Sequence, residues 1–219
     1  MSIRKTAFAP GEYYHIYNRG NSKQKIFLSK RDYERFVALL YGVNTNERFN
    51  FFDSQKGGGI FSKEVDNPLV SIGAYCLMPN HFHLLITPLS EDGLSKFMQK
   101  LSTAYSMYFN EVNKRTGGLF EGKFKSQHME SDRQLKYIFS YIHLNPVKLI
   151  DTKWKENGIK NLTKTFEYLN SYPYSSFLDY VGINRLEKKI LKISDFPNYF
   201  PSKNSFKKEI IEWLNYKEI

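Results

Sequence analysis

Cysteine is nearly absent. Cys76 stands alone in 219 residues, which excludes an internal disulfide and any thiolate metal cluster, since each needs at least two. Long hydrophobic runs are also missing. No stretch approaches the roughly 20 apolar residues of a membrane-spanning helix. The opening MSIRKTAFAPGEYYHIYNRG (residues 1–20) carries charge but no apolar block like that of a secretion signal, so the cytoplasm is the expected location. There is no internal repeat. Acidic side chains are in short supply: 22 Asp and Glu against 32 Lys and Arg leave a net charge of +10, with a pI near 9.4. Such a balance favours polyanion partners, nucleic acid first and anionic membrane second, although the lysines are spread widely enough to be ordinary solvated surface. What is plentiful is aromatic: 16 Tyr and 18 Phe. They can build a core or stack on unpaired bases, and the core is the commoner use.

Periodicity gives the elements. Residues 12–20 (EYYHIYNRG) read as a strand ending at Gly20. Residues 29–43 read as a helix with Ser29 as its cap and Phe36, Val37, Leu39 and Leu40 as its apolar face. Residues 53–68, with Gly57, Gly58 and Gly59, read as an exposed loop. The apolar runs 69–78 (LVSIGAYCLM) and 81–87 (HFHLLIT) flank Pro79 and Asn80 and predict an antiparallel hairpin; being apolar on both faces, both are expected to be central strands. Residues 91–116 form a long helix with Leu94, Phe97, Met98, Leu101, Ala104, Tyr105, Tyr108 and Val112 at spacings of three and four, stopped by Gly117 and Gly118. A basic strand over 118–129 and a helix to about residue 144 follow. Ser131 and Gln134 supply a capping box for that helix, and Leu135, Ile138, Phe139 and Ile142 its apolar stripe. The order β-α-β-β-α-β-α predicts an α+β, ferredoxin-like fold: one antiparallel sheet with helices on one face, plus an added C-terminal helix. Residues 1–150 are expected to form this domain. Residues 151–219, rich in Lys, Tyr and Asn, are expected to be a basic extension of one or two short helices.

Two constellations could carry chemistry. His81 and His83 are two apart on a strand, so their rings project from one face. Such a pair can hold a divalent metal, and oxygen ligands would open the site to Mg²⁺ or Mn²⁺; alternatively, both rings only make hydrogen bonds. Tyr141 and Asn145 are four apart on the flank of the last helix's stripe. That suits a nucleophile beside a ligand, but equally a packed tyrosine with a wet hydroxyl and an asparagine turning into Pro146. Pro146 is expected to keep Asn145 out of helical geometry. Tyr105, Tyr108 and Tyr137 are rival nucleophiles; the first two fall in a core stripe. His143 and His128 are candidate bases, with structural roles as the alternative.

Taken together, several blocks go further. AYCLMPNHFHLLITP (residues 74–88) resembles the histidine-pair strand of the HUH endonucleases, and YIHLNPVK (141–148) the tyrosine helix of their single-tyrosine transposases. GLFEGKFK (118–125), YYHIYNRG (13–20) and YPYSSFLDY (172–180) also resemble this branch, so the likeness spans about residues 10–180. The chain is thereby similar to the REP-associated tyrosine transposases, insertion-sequence 200-like. The resemblance implies an HUH fold, His81, His83 and Asn145 as metal ligands for Mg²⁺ or Mn²⁺, and Tyr141 as the nucleophile. It also implies single-stranded, hairpin-containing DNA as substrate, a 5′-phosphotyrosine intermediate, and a place in the bacterial cytoplasm or nucleoid; some relatives share active sites in a homodimer. Arg19, Lys123, Lys125, Arg133 and Lys136 flank the expected site and could hold the DNA backbone. Two other readings compete. One is a catalytically inactive nucleic-acid-binding protein of the same fold, although the chain lacks the basic-aromatic run of RNA-binding ferredoxin-like domains. The other is a metal hydrolase using water, for which the nearest acids, Glu91 and Asp92, lie past the strand.

Overall fold

In the computed structural model, residues 7–51 and 59–215 are described. Four strands form one antiparallel sheet: β1 (Tyr14–Arg19), β2 (Val70–Met78), β3 (His81–Pro88) and β4 (Lys125–His128), in the order β2-β3-β1-β4. This is the expected ferredoxin-like arrangement. The β2–β3 hairpin closes through Pro79 and Asn80, with Met78 opposite His81. The Pro79 carbonyl is capped by the Ile26 amide at 2.8 Å, and the Asn80 carbonyl by the Gly20 amide at 2.9 Å.

The period of two divides the sheet into two cores. Tyr14, Ile16, Ile72, Phe82, Leu84 and Ile86 pack on α1 (Lys30–Gly42) and α2 (Gly93–Val112). On the opposite face, Ala74, Cys76, Met78 and Leu85 meet Leu135, Ile138, Phe139 and Ile142 of α3 (Asp132–Leu144). Ser29 precedes α1, where the Asp32 carboxylate accepts from the Ser29 and Leu28 amides, both at 2.8 Å. At α3 the capping box is displaced: Ser131 Oγ accepts from the Gln134 amide at 3.3 Å, while the Gln134 side chain accepts from the amide of Glu130.

Four expectations need correction. The strand expected over 118–129 is only Lys125–His128, because Gly117 and Gly122 adopt φ of +83° and +69° and bend the preceding segment into a loop. The long helix is shorter than 91–116 at both ends, running Gly93–Val112. β2 is an edge strand, not a central one, and its free edge is covered by the tail: Leu77 donates to the Tyr174 carbonyl at 2.9 Å, and Ser176 and Lys192 donate to the Tyr75 and Ile72 carbonyls at 3.0 Å. That cover explains why β2 is buried throughout. Finally, residues beyond 150 form more than one or two short helices: α4 (Trp154–Asn157), α5 (Leu162–Ser171), α6 (Phe177–Tyr180) and α7 (Lys203–Asn215). Trp154, Leu169, Phe177, Phe206, Ile210 and Leu214 all enter the second core. Of the loop expected over 53–68, residues 52–58 lie outside the described residues; Ile60–Ser62 is a single 3₁₀ turn.

One buried ion pair fastens the tail. Arg185 donates to Asp179 at 2.6 and 3.0 Å, to the Ser175 and Pro173 carbonyls at 2.6 and 2.7 Å, and to the Tyr75 hydroxyl at 3.0 Å. The Asp179 side chain is fully covered. Replacing Arg185 by Met leaves a buried, unpaired carboxylate, so Arg185→Met is expected to cost about 3–5 kcal/mol in urea unfolding. A loss below about 1 kcal/mol, the level of an exposed pair, contradicts this.

Candidate active site

β3 carries the histidines to the site. His81 and His83 face α3 with ring centroids 5.0 Å apart. In each ring the same nitrogen is engaged: His81 Nδ1 lies 2.7 Å from Asn80 Oδ1, and His83 Nδ1 lies 2.8 Å from His15 Nε2. These bonds leave Nε2 of each ring as the nitrogen to offer. His15 comes from β1, where Tyr17 pairs with His83 and His15 with Leu85.

The apolar stripe of α3 seats Tyr141 over this pair. Its ring stands at 85° to the His83 ring, centroids 5.4 Å apart, and lies 5.9 Å from His15. Asn145 is buried one turn later. It is helical (φ −53°, ψ −40°) despite the following Pro146, contrary to the expectation, because Pro146 occupies the first turn of a 3₁₀ helix, Asn145–Leu149, that continues α3. Asn145 Nδ2 donates to the Tyr141 carbonyl at 2.9 Å. Its Oδ1 is buried with no hydrogen-bond partner among the described residues, although the amide lies near enough to His81 and Tyr141 to influence both titrations.

Burial sets the protonation states. It lowers His15 and His81 to about 4, with Lys148 adding to the effect on His81, and drives His83 well below its usual value, assisted by the neighbouring His15 and His81. The imidazoles are therefore neutral at pH 7, as metal ligation requires. Burial raises the Tyr141 hydroxyl, opposed by the Asn145 amide. Two cations stand over that ring: Lys155 Nζ at 4.5 Å from the centroid and Lys148 Nζ at 6.0 Å.

Two imidazoles fixed through Nδ1 and an amide oxygen with an unfilled acceptor make a donor set that fits a divalent cation. Among the described residues no group of three or more His, Cys, Asp or Glu converges, so Asn145 is what takes this set beyond a histidine pair. A cleft of about 330 Å³ opens here, lined by Tyr17, Asn18, Arg19, Lys23, Asn80, His81, His83, Lys125 and Tyr141. Of the cations expected to hold DNA, Arg19 and Lys125 reach the cleft, Arg19 while paired with Glu121 (Nη2–Oε1 3.0 Å). Lys123 is exposed outside the lining, and Arg133 is exposed on the first turn of α3, about 12 Å back along the axis from Tyr141. Lys136 instead pairs with Glu209 of α7 at 2.7 Å.

None of the rival groups lines the cleft. Tyr105 is fully buried and bonds the Ile26 carbonyl, and Tyr108 bonds Asp32 at 3.0 Å. Tyr137 is 37% exposed and packs edge-on against Trp213 of α7. His143 is buried with Nε2 2.8 Å from Ser176 Oγ, and His128 pairs with Glu12 at 2.6 Å. Sequence reasoning missed His15, Lys23, Lys148 and Lys155. Alternation within YYHIYNRG puts His15 and Tyr17 on one face, a signal that was available. Nothing local marks Lys155.

Known proteins resemble the chain over part of its sequence and in its fold. Residues 43–145 match the family model described as "Transposase IS200 like". That span runs from the end of α1 through Asn145 and holds both histidines and Tyr141. A solved REP-associated tyrosine transposase bound to a REP hairpin superposes with a TM-score of 0.51 at 14% identity, covering 85% of this chain and 90% of that one, and shares the fold. A putative transposase from Deinococcus radiodurans R1 matches at a TM-score of 0.37 and 13% identity, over 65% of this chain and 95% of that one, too distant to add to the comparison. No curated protein matches the chain.

The titration directions make a pH prediction. His15 and His81 fall to about 4 and His143 to about 3 in the folded chain, against 6.5 unfolded. Below 6.5 the unfolded chain binds more protons, so stability is full above that value and is lost as pH falls towards 4. Each histidine contributes about 1.4 kcal/mol per pH unit across that window. In metal-free buffer the urea midpoint is expected to drop from pH 7 to pH 5, above the carboxylate range; an unchanged midpoint contradicts it.

Proposed function

We propose that this protein is an HUH-type tyrosine transposase, a DNA-strand transferase that cuts and rejoins single-stranded, hairpin-containing DNA. The observation that carries the reading is the placement of Tyr141 beside His83, with the unsatisfied Asn145 oxygen one turn away. The IS200-like segment and the fold shared with a transposase bound to a REP hairpin support a DNA substrate. A divalent metal, Mg²⁺ or Mn²⁺, held by His81, His83 and Asn145 would neutralise the scissile phosphate and polarise it.

The chain's own residues do the rest. Tyr141 Oη forms a bond to phosphorus, the bond from phosphorus to the 3′ oxygen breaks, and its electron pair leaves with that oxygen. Tyr141 gives up one proton and the 3′ oxygen gains one, so cleavage consumes no net proton. The products are a 5′-phosphotyrosine and a free 3′ hydroxyl. Because a phosphodiester is exchanged for a phosphotyrosine, a 3′ hydroxyl can reverse the step and join a new end. Lys155 and Lys148, over the Tyr141 ring, bring positive charge to the nucleophile's surroundings and help hold the phosphate, while the Asn145 amide opposes the burial that raises the hydroxyl. Arg19 and Lys125 line the cleft where the strand backbone enters. The alternative, an inactive nucleic-acid-binding descendant, keeps the cleft without the chemistry.

The test is a denaturing gel of labelled single-stranded hairpin DNA, including repeats flanking the gene, incubated with Mg²⁺ or Mn²⁺. Wild type is expected to give a metal-dependent covalent adduct, and Tyr141→Phe and His83→Ala none. Lys155→Ala is expected to slow adduct formation roughly ten- to a hundredfold, the scale of one hydrogen bond to a charged group. An adduct that survives Tyr141→Phe moves the nucleophile elsewhere, and binding without any adduct favours the inactive descendant.

A further inference from the structure

His15 belongs to neither the histidine pair nor the tyrosine helix, yet it is the side chain most closely tied to His83. It is 5% exposed on β1, the strand hydrogen-bonded to β3, and its Nε2 lies 2.8 Å from His83 Nδ1. The two rings are nearly parallel, centroids 5.0 Å apart and 21° between planes, and Tyr17 packs against both, stacked 5.0 Å from His15 and 5.8 Å from His83. A ring held by a packed neighbour, by the register of two paired strands and by a short hydrogen bond has little freedom to turn.

Two neutral imidazoles can share one hydrogen bond only if one donates and the other accepts. If His83 Nδ1–H donates, its Nε2 carries a lone pair; if His15 donates, the proton sits on His83 Nε2 and closes that nitrogen to a cation. His81 has the parallel arrangement, with its Nδ1 against Asn80 Oδ1, an atom that can only accept. We propose that His15 is a positioning residue: it accepts the Nδ1 proton of His83, fixes the tautomer and turn of that ring, and so presents His83 Nε2 to a divalent cation. This rests on the proposed metal site. In other proteins, partners of this kind on ligand histidines account for ten- to a hundredfold in metal affinity.

The test uses Mn²⁺ alone and the full chain. Nitrogen-15 NMR of the metal-free protein is expected to show His83 protonated on Nδ1. Calorimetric Mn²⁺ titration of His15→Phe, which keeps a flat ring without the acceptor, is expected to show affinity about ten- to a hundredfold weaker than wild type. His15→Gln, whose side-chain oxygen reaches the position of Nε2, should recover most of it. Circular dichroism of each variant checks the fold, and the wild-type NMR result stands even if His15→Phe does not fold. His83 protonated on Nε2 in wild type, or equal affinity in folded His15→Phe, overturns the proposal. An Nδ1–H tautomer in a wild type that binds no Mn²⁺ would instead overturn the metal site and leave the orientation of His83 by His15 intact.

Discussion

The register of β3 is the constraint on which the rest of the structure depends. Phe82, Leu84 and Ile86 fill one core, while His81, His83 and Leu85 face the other. A slip of one residue would bury both histidines against α1 and α2 and turn three large apolar side chains towards Tyr141. The register is held on both sides, by the two-residue turn at Pro79 and Asn80 and by β1, which sets Tyr17 opposite His83. Cooperative core packing, and not a local preference of the histidines, places the site.

Tyr141 inherits its position the same way. Its helix is fixed by Ile138, Phe139 and Ile142 against Ala74, Cys76, Met78 and Leu85. The tyrosine at the edge of that contact can only lie where the stripe puts it. Reactive geometry tolerates little displacement, so substitutions in this second core should reach the chemistry without touching it. The tail takes part: it covers the open edge of β2, fills the same core and carries Lys155 over the Tyr141 ring. The matched family segment ends at Asn145, but the electrostatic surroundings of the site extend past it.

Legibility followed the range of the interactions. The hairpin, the stripe of α3 and the caps at Ser29 and Ser131 are set by neighbours within a few residues, and their elements could be read from spacing alone. The fold class followed from their order. What escaped was long-range. β2 looked central because residues about 100 positions away, Tyr174 to Ser176, cover its edge. The helices of the tail were hidden because their apolar residues are interspersed with Lys and Asn and make sense only against the sheet. His81, His83, Tyr141 and Asn145 were found as pairs by spacing and as a group by resemblance; that β3 and α3 bring them together is a tertiary fact. Lys136 was misplaced for the same reason, its partner Glu209 being on α7. His15 had a local signal in the alternation of its strand, but its partner His83 is 68 residues away.

The central claim, that Tyr141 is the residue that joins DNA, is tested most directly by where the DNA ends up. The covalent product would be digested with nuclease and protease, and the peptide bearing the nucleotide remnant sequenced by mass spectrometry. The account predicts the remnant on Tyr141, attached through a 5′ phosphate. A remnant on Tyr137, whose ring lies 5.9 Å from that of Tyr141, or on any other residue, would contradict it.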